Sequence, residues 1–409
     1  MLFVVAFAIG LALVGFGFRS QGWVDHRPDP YGFSQLGRNL AEGHGFDGAG
    51  VVLRRRAPLY PLLIGAVYAA FGEHPWIVQI LQCAAFAGTC VLSLCIGRRL
   101  FGERTGWIAG WLCALHPGLL RYVADFHLES IFAFLVTWVV HASVAFRERP
   151  DPRRGALLGL ALGLGSLTKA VILPYAAVFA VLLILESRKR NPHGPPIPWR
   201  GLATMAGVLA MVVLPWTIRN FVATGGNLVP ITTGFNDAML RGFVFSKTEY
   251  ATLSRPPYTD AENESNRWFR HEFQRRGLVW ERDDIETERV LGEVVAETLH
   301  RDPWALPRKF FVGIATFWYQ MTSRANSVVL GVPAILGWGF ALVGVARARR
   351  EGRMAWPVLA PCATLNLELA ALLALGRYSV PVLPALMVAA AFGVDTLMRL
   401  RTRATPPSG

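Results

Sequence analysis

The sequence predicts an all-α polytopic membrane protein, and three observations carry that prediction. Of 409 residues, 53% are hydrophobic and only 17% charged, with a mean hydropathy of +0.36, which is more apolar length than a soluble core can bury. The apolar residues fall in runs near the roughly 20 that a bilayer-crossing helix needs. Short arginine-rich segments separate those runs, as they do where basic residues set topology. In a soluble chain the net charge of +13 would suggest nucleic acid. Here topology accounts for the arginines, and no nucleic-acid partner is expected.

Taken in order, the predicted spans are 2–18, 76–97, 106–123, 128–146, 155–169, 171–186, 200–219, 325–346, 354–375 and 379–397, a bundle of about ten transmembrane helices. The first lacks a basic n-region and a small-residue cleavage site, so it reads as a retained signal anchor. Residues 58–71 are apolar but short, and Pro58 and Pro61 open them, which suggests an interfacial or re-entrant helix. The basic loops test this count. With Met1 inside and 58–71 not crossing, five clusters fall on the cytoplasmic side: Arg98/Arg99/Arg104, Arg147/Arg149/Arg153/Arg154, Arg188/Lys189/Arg190, Arg347/Arg349/Arg350/Arg353 and Arg399/Arg401/Arg403. An eleventh crossing would move all of them outside. All five cysteines lie within apolar spans, which indicates packing instead of disulfides or thiolate metal sites.

That topology divides the chain into a transmembrane module, 1–219, with a first outer loop at 19–75; a hydrophilic outer segment, 220–321; a second set of transmembrane helices, 322–398; and a cytoplasmic tail, 399–409. Glu264–Arg276 and Asp283–Arg301 carry helical spacing, and no strand pattern alternates nearby. A small helical outer subdomain is expected, either a lid or a passive loop. Residues 192–198 are a proline-rich linker and 404–409 a short polar end.

The outer face then collects the polar groups capable of chemistry. Asp29, in His26-Arg27-Pro28-Asp29-Pro30-Tyr31, follows the first span. Asp125, His127 and Glu129 stand at the mouth of a later hairpin, and Glu129 lies inside the start of an apolar run. Ionisable residues at a membrane boundary are costly and mark functional sites; the bland alternatives are a solvated loop acid for Asp29 and a helix N-terminal charge for Glu129. Arg54, Arg55 and Arg56 break the positive-inside pattern, as do Arg219 and Arg377, and Lys169 interrupts an apolar stretch near the same level. Arginine forks suit phosphate oxygens, so a lipid-linked phosphate is the natural ligand. The alternative for any single arginine is snorkelling to lipid headgroups. No glycine loop of the nucleotide-cradling kind is present; Gly43-His44-Gly45 reads as a turn.

Several pieces, in this order and spacing, resemble the GT-C glycosyltransferases, specifically the bacterial family-39-like group of aminoarabinose transferases and protein O-mannosyltransferases. They are Asp29 through Phe46, Arg55-Arg56-Ala57-Pro58-Leu59-Tyr60-Pro61, Gly97-Arg98-Arg99-Leu100-Phe101-Gly102, His127-Leu128-Glu129, Leu167-Thr168-Lys169, Pro215-Trp216-Thr217-Ile218-Arg219-Asn220 and Arg377-Tyr378-Ser379-Val380-Pro381-Val382-Leu383-Pro384. Ala57 replaces a proline of the pattern, Lys169 an arginine and Phe33 a tyrosine. The resemblance implies a GT-C bundle in the inner (plasma) membrane with its site facing the periplasm or exterior. It also implies a polyprenyl-phosphate-linked sugar donor, and a glycan, lipid or protein hydroxyl as acceptor. Asp29 would be the general base of an inverting transfer, and Glu129 the second acid. Arg55, Arg56, Arg219, Arg377, Tyr378 and Lys169 would bind the donor phosphate, with Asp125, His127 and Asn39 beside the acceptor. No cofactor is assigned, and a divalent metal stays open. The rival is a flippase for a lipid-linked saccharide, which would place charges along a route to the midplane and often show repeats; neither is apparent.

Overall fold

The computed structural model describes residues 1–21, 28–46, 56–190, 197–247, 250, 257–277, 284–321 and 323–404. Arg54, Arg55, most of the proline-rich linker and all but the first residue of the polar end at 404–409 lie outside the described residues. Helices make up the regular structure, with no strand among the described residues.

The first half runs α1 (Leu2–Gln21), α2 (Pro28–Ala41), α3 (Leu59–Phe71), α4 (Pro75–Phe101), α5 (Glu103–Ala114), α6 (Pro117–Ala124), α7 (Glu129–Glu148), α8 (Pro152–Thr168), α9 (Tyr175–Arg190) and α10 (Trp199–Ala223). The hydrophilic segment 220–321, expected at the outer face and hereafter the outer segment, holds α11 (Phe235–Phe245), α12 (Pro257–Arg275), α13 (Asp284–Arg301) and α14 (Ala305–Thr316). The chain closes with α15 (Arg324–Arg350), α16 (Trp356–Ala371), a 3-10 turn (Gly376–Val382) and α17 (Leu383–Ala404). Sequence spacing anticipated α12 and α13 but not α11.

Among the described residues, six helical stretches are long and apolar enough to cross a membrane: Pro75–Phe101, Glu129–Glu148, Ala170–Arg188, Trp199–Ala223, Arg324–Arg350 and Gly376–Arg401. The predicted spans 155–169 and 354–375 are the shorter helices α8, of 17 residues, and α16, of 16. The predicted span 106–123 needs correction, because it is two helices, α5 and α6. Pro117 has no N–H to continue a ladder, and the break is capped by His116, whose Nδ1 accepts from Gly118 N at 3.1 Å. The short run 58–71 is helical, as α3, and its 13 residues rise only about 20 Å.

Small residues decide the closest packing. Along α8, Gly155 and Gly159 face α10, where an added Cβ would stand 2.2 Å from Gly201 O and 2.3 Å from Met205 O. Such close approach replaces the hydrophobic drive that helices lack in lipid. The bundle shares one continuous apolar core that includes Phe132, Phe146, Tyr175, Phe317 and Phe392. A second cluster seats α3 through Phe33, Tyr60, Ile64 and Phe126.

The outer segment is packed onto the bundle. Leu240, Phe269, Phe273 and Leu291 form its own core, and Phe245, Tyr250 and Ala261 close over Leu373 and Leu375. Lys309, 2% exposed, donates to Ala371 O at 2.6 Å and Leu372 O at 3.2 Å. It satisfies carbonyls at the end of α16 that have no intrahelical partner. Burial pushes its ammonium down to about 8.

Candidate active site

The loop between α6 and α7 is held by α3 and α4. Tyr60 OH donates to Gln82 Oε1 at 2.8 Å; Gln82 Nε2 donates to Asp125 O at 2.7 Å, and Gln79 Nε2 to Ala124 O at 3.1 Å. Ser130 Oγ ties the first turn of α7 to Tyr122 O at 2.8 Å. Glu129 opens that turn, where helix dipole and free N–H groups favour an anion. It is only 3% exposed, and its Oε2 has no hydrogen-bond partner among the described residues. His127 is buried beside it, edge-on to Tyr122 with centroids 6.0 Å apart, and its Nδ1 also lacks a partner among the described residues. Asp125 ends α6 in extended backbone.

Two cations share one aromatic ring on the 3-10 turn that packs against α7. Lys169, where α8 breaks into an extended residue, holds Nζ 3.6 Å above Tyr378. Arg377 lies 5.0 Å over the same ring and reaches Tyr378 OH at 3.3 Å. The 3-10 turn that carries both Arg377 and Tyr378 packs against α6 and α7. Tyr122 consequently lies within electrostatic range of Glu129, Arg377, Arg121 and Asp125 together. The structure thus gathers Glu129, His127, Asp125, Lys169, Arg377 and Tyr378 into one region.

Arg56 approaches from the first outer loop. Its guanidinium sits 4.2 Å over Phe33, and its Nη2 lies 2.8 Å from where a Cβ on Gly32 would stand, so it passes close over the α2 backbone. Phe33 packs edge-on to Tyr60 at 5.0 Å, and Tyr60 lies against Phe126 at 6.2 Å, which connects Arg56 to the Asp125–Glu129 loop. Asp29 is the second residue of α2, one turn before Gly32 and Phe33; its side chain lies outside the described residues, as does Arg55.

Arg219 and Asn39 occupy a neighbouring corner. Arg219 stands 5.0 Å over Trp216 and 5.6 Å over Phe46 and donates to Asn220 Oδ1 at 3.3 Å. Asn39 is buried in the part of α2 where Leu36 and Leu40 meet Phe46 and Trp216. Trp216 also joins Ala57 and Ala170, the neighbours of Arg56 and Lys169. Sequence reasoning missed Arg121, which donates to Asn326 Oδ1 at 3.2 Å and whose buried Nε has no partner among the described residues. An arginine at the end of an apolar run, just after a His-Pro break, was the available signal. No group of three His, Cys, Asp or Glu able to hold a metal ion occurs among the described residues.

This helical bundle, with acids and ring-seated cations at one end, has the fold of the GT-C membrane glycosyltransferases. Residues 55–216 match the family model described as dolichyl-phosphate-mannose-protein mannosyltransferase; that stretch contains Arg55, Arg56, Asp125, His127, Glu129 and Lys169. YkcB of Bacillus subtilis (strain 168), which carries a provisional mannosyltransferase name, is 23% identical over 213 residues, covering 48% of this chain and 28% of its own. Among solved structures, archaeal oligosaccharyltransferase AglB from Archaeoglobus fulgidus, in complex with an inhibitory peptide and a dolichol-phosphate, matches with a TM-score of 0.55. It is 12% identical and covers 100% of this chain and 52% of that one. The apo form of the Archaeoglobus fulgidus oligosaccharyltransferase gives a TM-score of 0.56 at 15% identity, over 98% and 51%. The chain spans about half the length of those archaeal enzymes and under a third of YkcB.

Proposed function

We propose that the protein is a glycosyltransferase of the plasma (inner) membrane that moves a sugar from a polyprenyl-phosphate-linked donor to a hydroxyl of a glycan, lipid or protein at the outer face. The observation that carries this reading is the convergence of Lys169, Arg377 and Tyr378 on the buried end of α7 where Glu129 stands. It is supported by the mannosyltransferase model over 55–216 and by the dolichol-phosphate of the AglB complex.

In this scheme Asp29 takes the proton of the acceptor hydroxyl as its oxygen attacks the anomeric carbon. The bond from that carbon to the phosphate oxygen breaks on the opposite side, so configuration inverts and lipid phosphate departs with the electron pair. Arg56, Arg377 and Lys169 neutralise charge growing on the phosphate, with Arg55 and Arg219 as further donors. Rings beneath the cations help hold them in place. Glu129 orients the acceptor with Asp125, His127 and Asn39. The leaving group is already activated, so positioning, a base and cations suffice, with no nucleotide.

The test is sugar transfer in membranes carrying the wild type or Asp29→Asn at equal protein level, with a panel of labelled polyprenyl-phosphate sugars followed into glycolipid, glycan and protein fractions. Loss of about 10²–10⁴-fold in the variant is expected for a missing general base, and the labelled fraction reports the acceptor class. Equal transfer by both proteins would overturn the role of Asp29. No transfer, with labelled donor gaining access across the membrane, would replace transferase with flippase.

A further inference from the structure

A second charged concavity lies at the far end of the bundle, remote from Glu129 and independent of the reaction proposed above. Between α9, α15 and α16 is a groove of about 410 Å³, open on one side. Its apolar lining, the trough, combines the small Ala348, Ala360 and Ala363 with Leu182, Val345 and Leu359. Along α16 it runs from Trp356 to Ala363, a rise of about 10 Å. Its mouth is basic, with Arg349 and Arg353 in the lining.

Charge at that mouth is unbalanced. The turn from 347 to 353 holds four arginines and one acid. Glu351 is taken on both oxygens, by Arg347 and, at 2.9 Å, by Arg353. Arg353 also donates to Leu100 O at 3.2 Å. The Arg349 guanidinium makes no hydrogen bond or ion pair among the described residues, while its carbonyl accepts from Gly352 N at 3.2 Å. Trp356 has its indole N–H committed to Glu186 Oε2 at 2.9 Å, so it offers the groove a ring and no donor. Exposed Ile335, Leu336 and Leu342 on α15 mark this flank as facing lipid.

We propose that this groove holds one anionic glycerophospholipid, its phosphate at Arg349 and Arg353 and the head of one acyl chain in the alanine trough. An apolar slot beneath an unneutralised guanidinium at a membrane boundary matches that molecule at both ends. A zwitterionic lipid fills the trough equally well but brings its own cation to the mouth.

The experiment is native mass spectrometry of the full-length protein in detergent, titrated with phosphatidylglycerol or phosphatidylcholine of matched chains. One phosphatidylglycerol should be retained in preference to phosphatidylcholine. Arg349→Gln should weaken its retention about fivefold, the size of one arginine at a lipid surface. Arg350→Gln removes the same charge one residue away, outside the groove, and should leave retention unchanged; Ala363→Trp fills the trough with every arginine intact and should abolish it. The proposal is overturned if phosphatidylcholine is held equally, if the two arginine variants lose the lipid alike, or if Ala363→Trp retains it. A dimer that Ala363→Trp breaks and Arg349→Gln leaves intact would assign the groove to a second copy and also overturn it.

Discussion

The two ends of α7 treat charge in opposite ways. At its C-terminal end Arg147 grips Glu186 through two bonds, at 2.9 and 2.6 Å, and Trp356 adds a third. At the N-terminal end, about 30 Å away, Glu129 is buried, 3% exposed, and its Oε2 is unpartnered among the described residues. A charge paired on burial serves architecture, because it no longer has to be solvated. A buried acid left with a spare acceptor is costly and persists where a ligand uses it.

Breaking the paired end should have the largest effect on stability. Glu186→Ala leaves the part-buried Arg147, 13% exposed, without its partner and is expected to cost up to about 3 kcal/mol, read as a lowered unfolding midpoint in detergent, with transfer per folded molecule unchanged. Glu129→Gln should do the reverse. It removes a buried charge whose Oε2 has no hydrogen-bond partner among the described residues, so the midpoint holds or rises while transfer falls at least about tenfold. A midpoint that drops with activity intact would make Glu129 structural and dissolve the contrast.

Lys309 tests whether the outer segment belongs with the paired end. Folded Lys309 loses its proton near 8 while the ordinary value is 10.5, so unfolding takes up a proton between those values. Its contribution to stability therefore rises with pH across that window, by up to about 3 kcal/mol. Lys309→Met should remove that slope, measured as the difference in unfolding free energy between the two proteins from pH 8 to 10. The smallest effect is expected at Arg38 and Glu73, which pair across α2 and α3 with both side chains nearly half exposed. Glu73→Gln should change stability by less than about 1 kcal/mol, and less still in high salt.

Much of the site was legible as residue types and little of it as geometry. Glu129 stood out because an acid inside an apolar run has few bland explanations, and Arg377-Tyr378 because it adjoins a span on the unexpected side. That Lys169 and Arg377 share the ring of Tyr378 could not be read, since 208 residues separate Lys169 from Arg377. Arg121 was passed over for the same reason as the break at His116. A hydropathy ruler sums over a window and sees neither a helix interrupted by Pro117 nor a guanidinium turned toward Asn326.

By itself the sequence determined that the chain is helical and lives in a membrane, because run length and arginine placement are local properties that the bilayer reads directly. It also set which turns and breaks were available, through Pro117, the glycines of α8 and the acids at helix starts. Only the tertiary structure decided which charges are paired, which ring each cation rests on, and that the outer segment grips the loop bearing Arg377 and Tyr378. Those are contacts between residues distant in the chain, and they form only when close-packed helices bring their ends together.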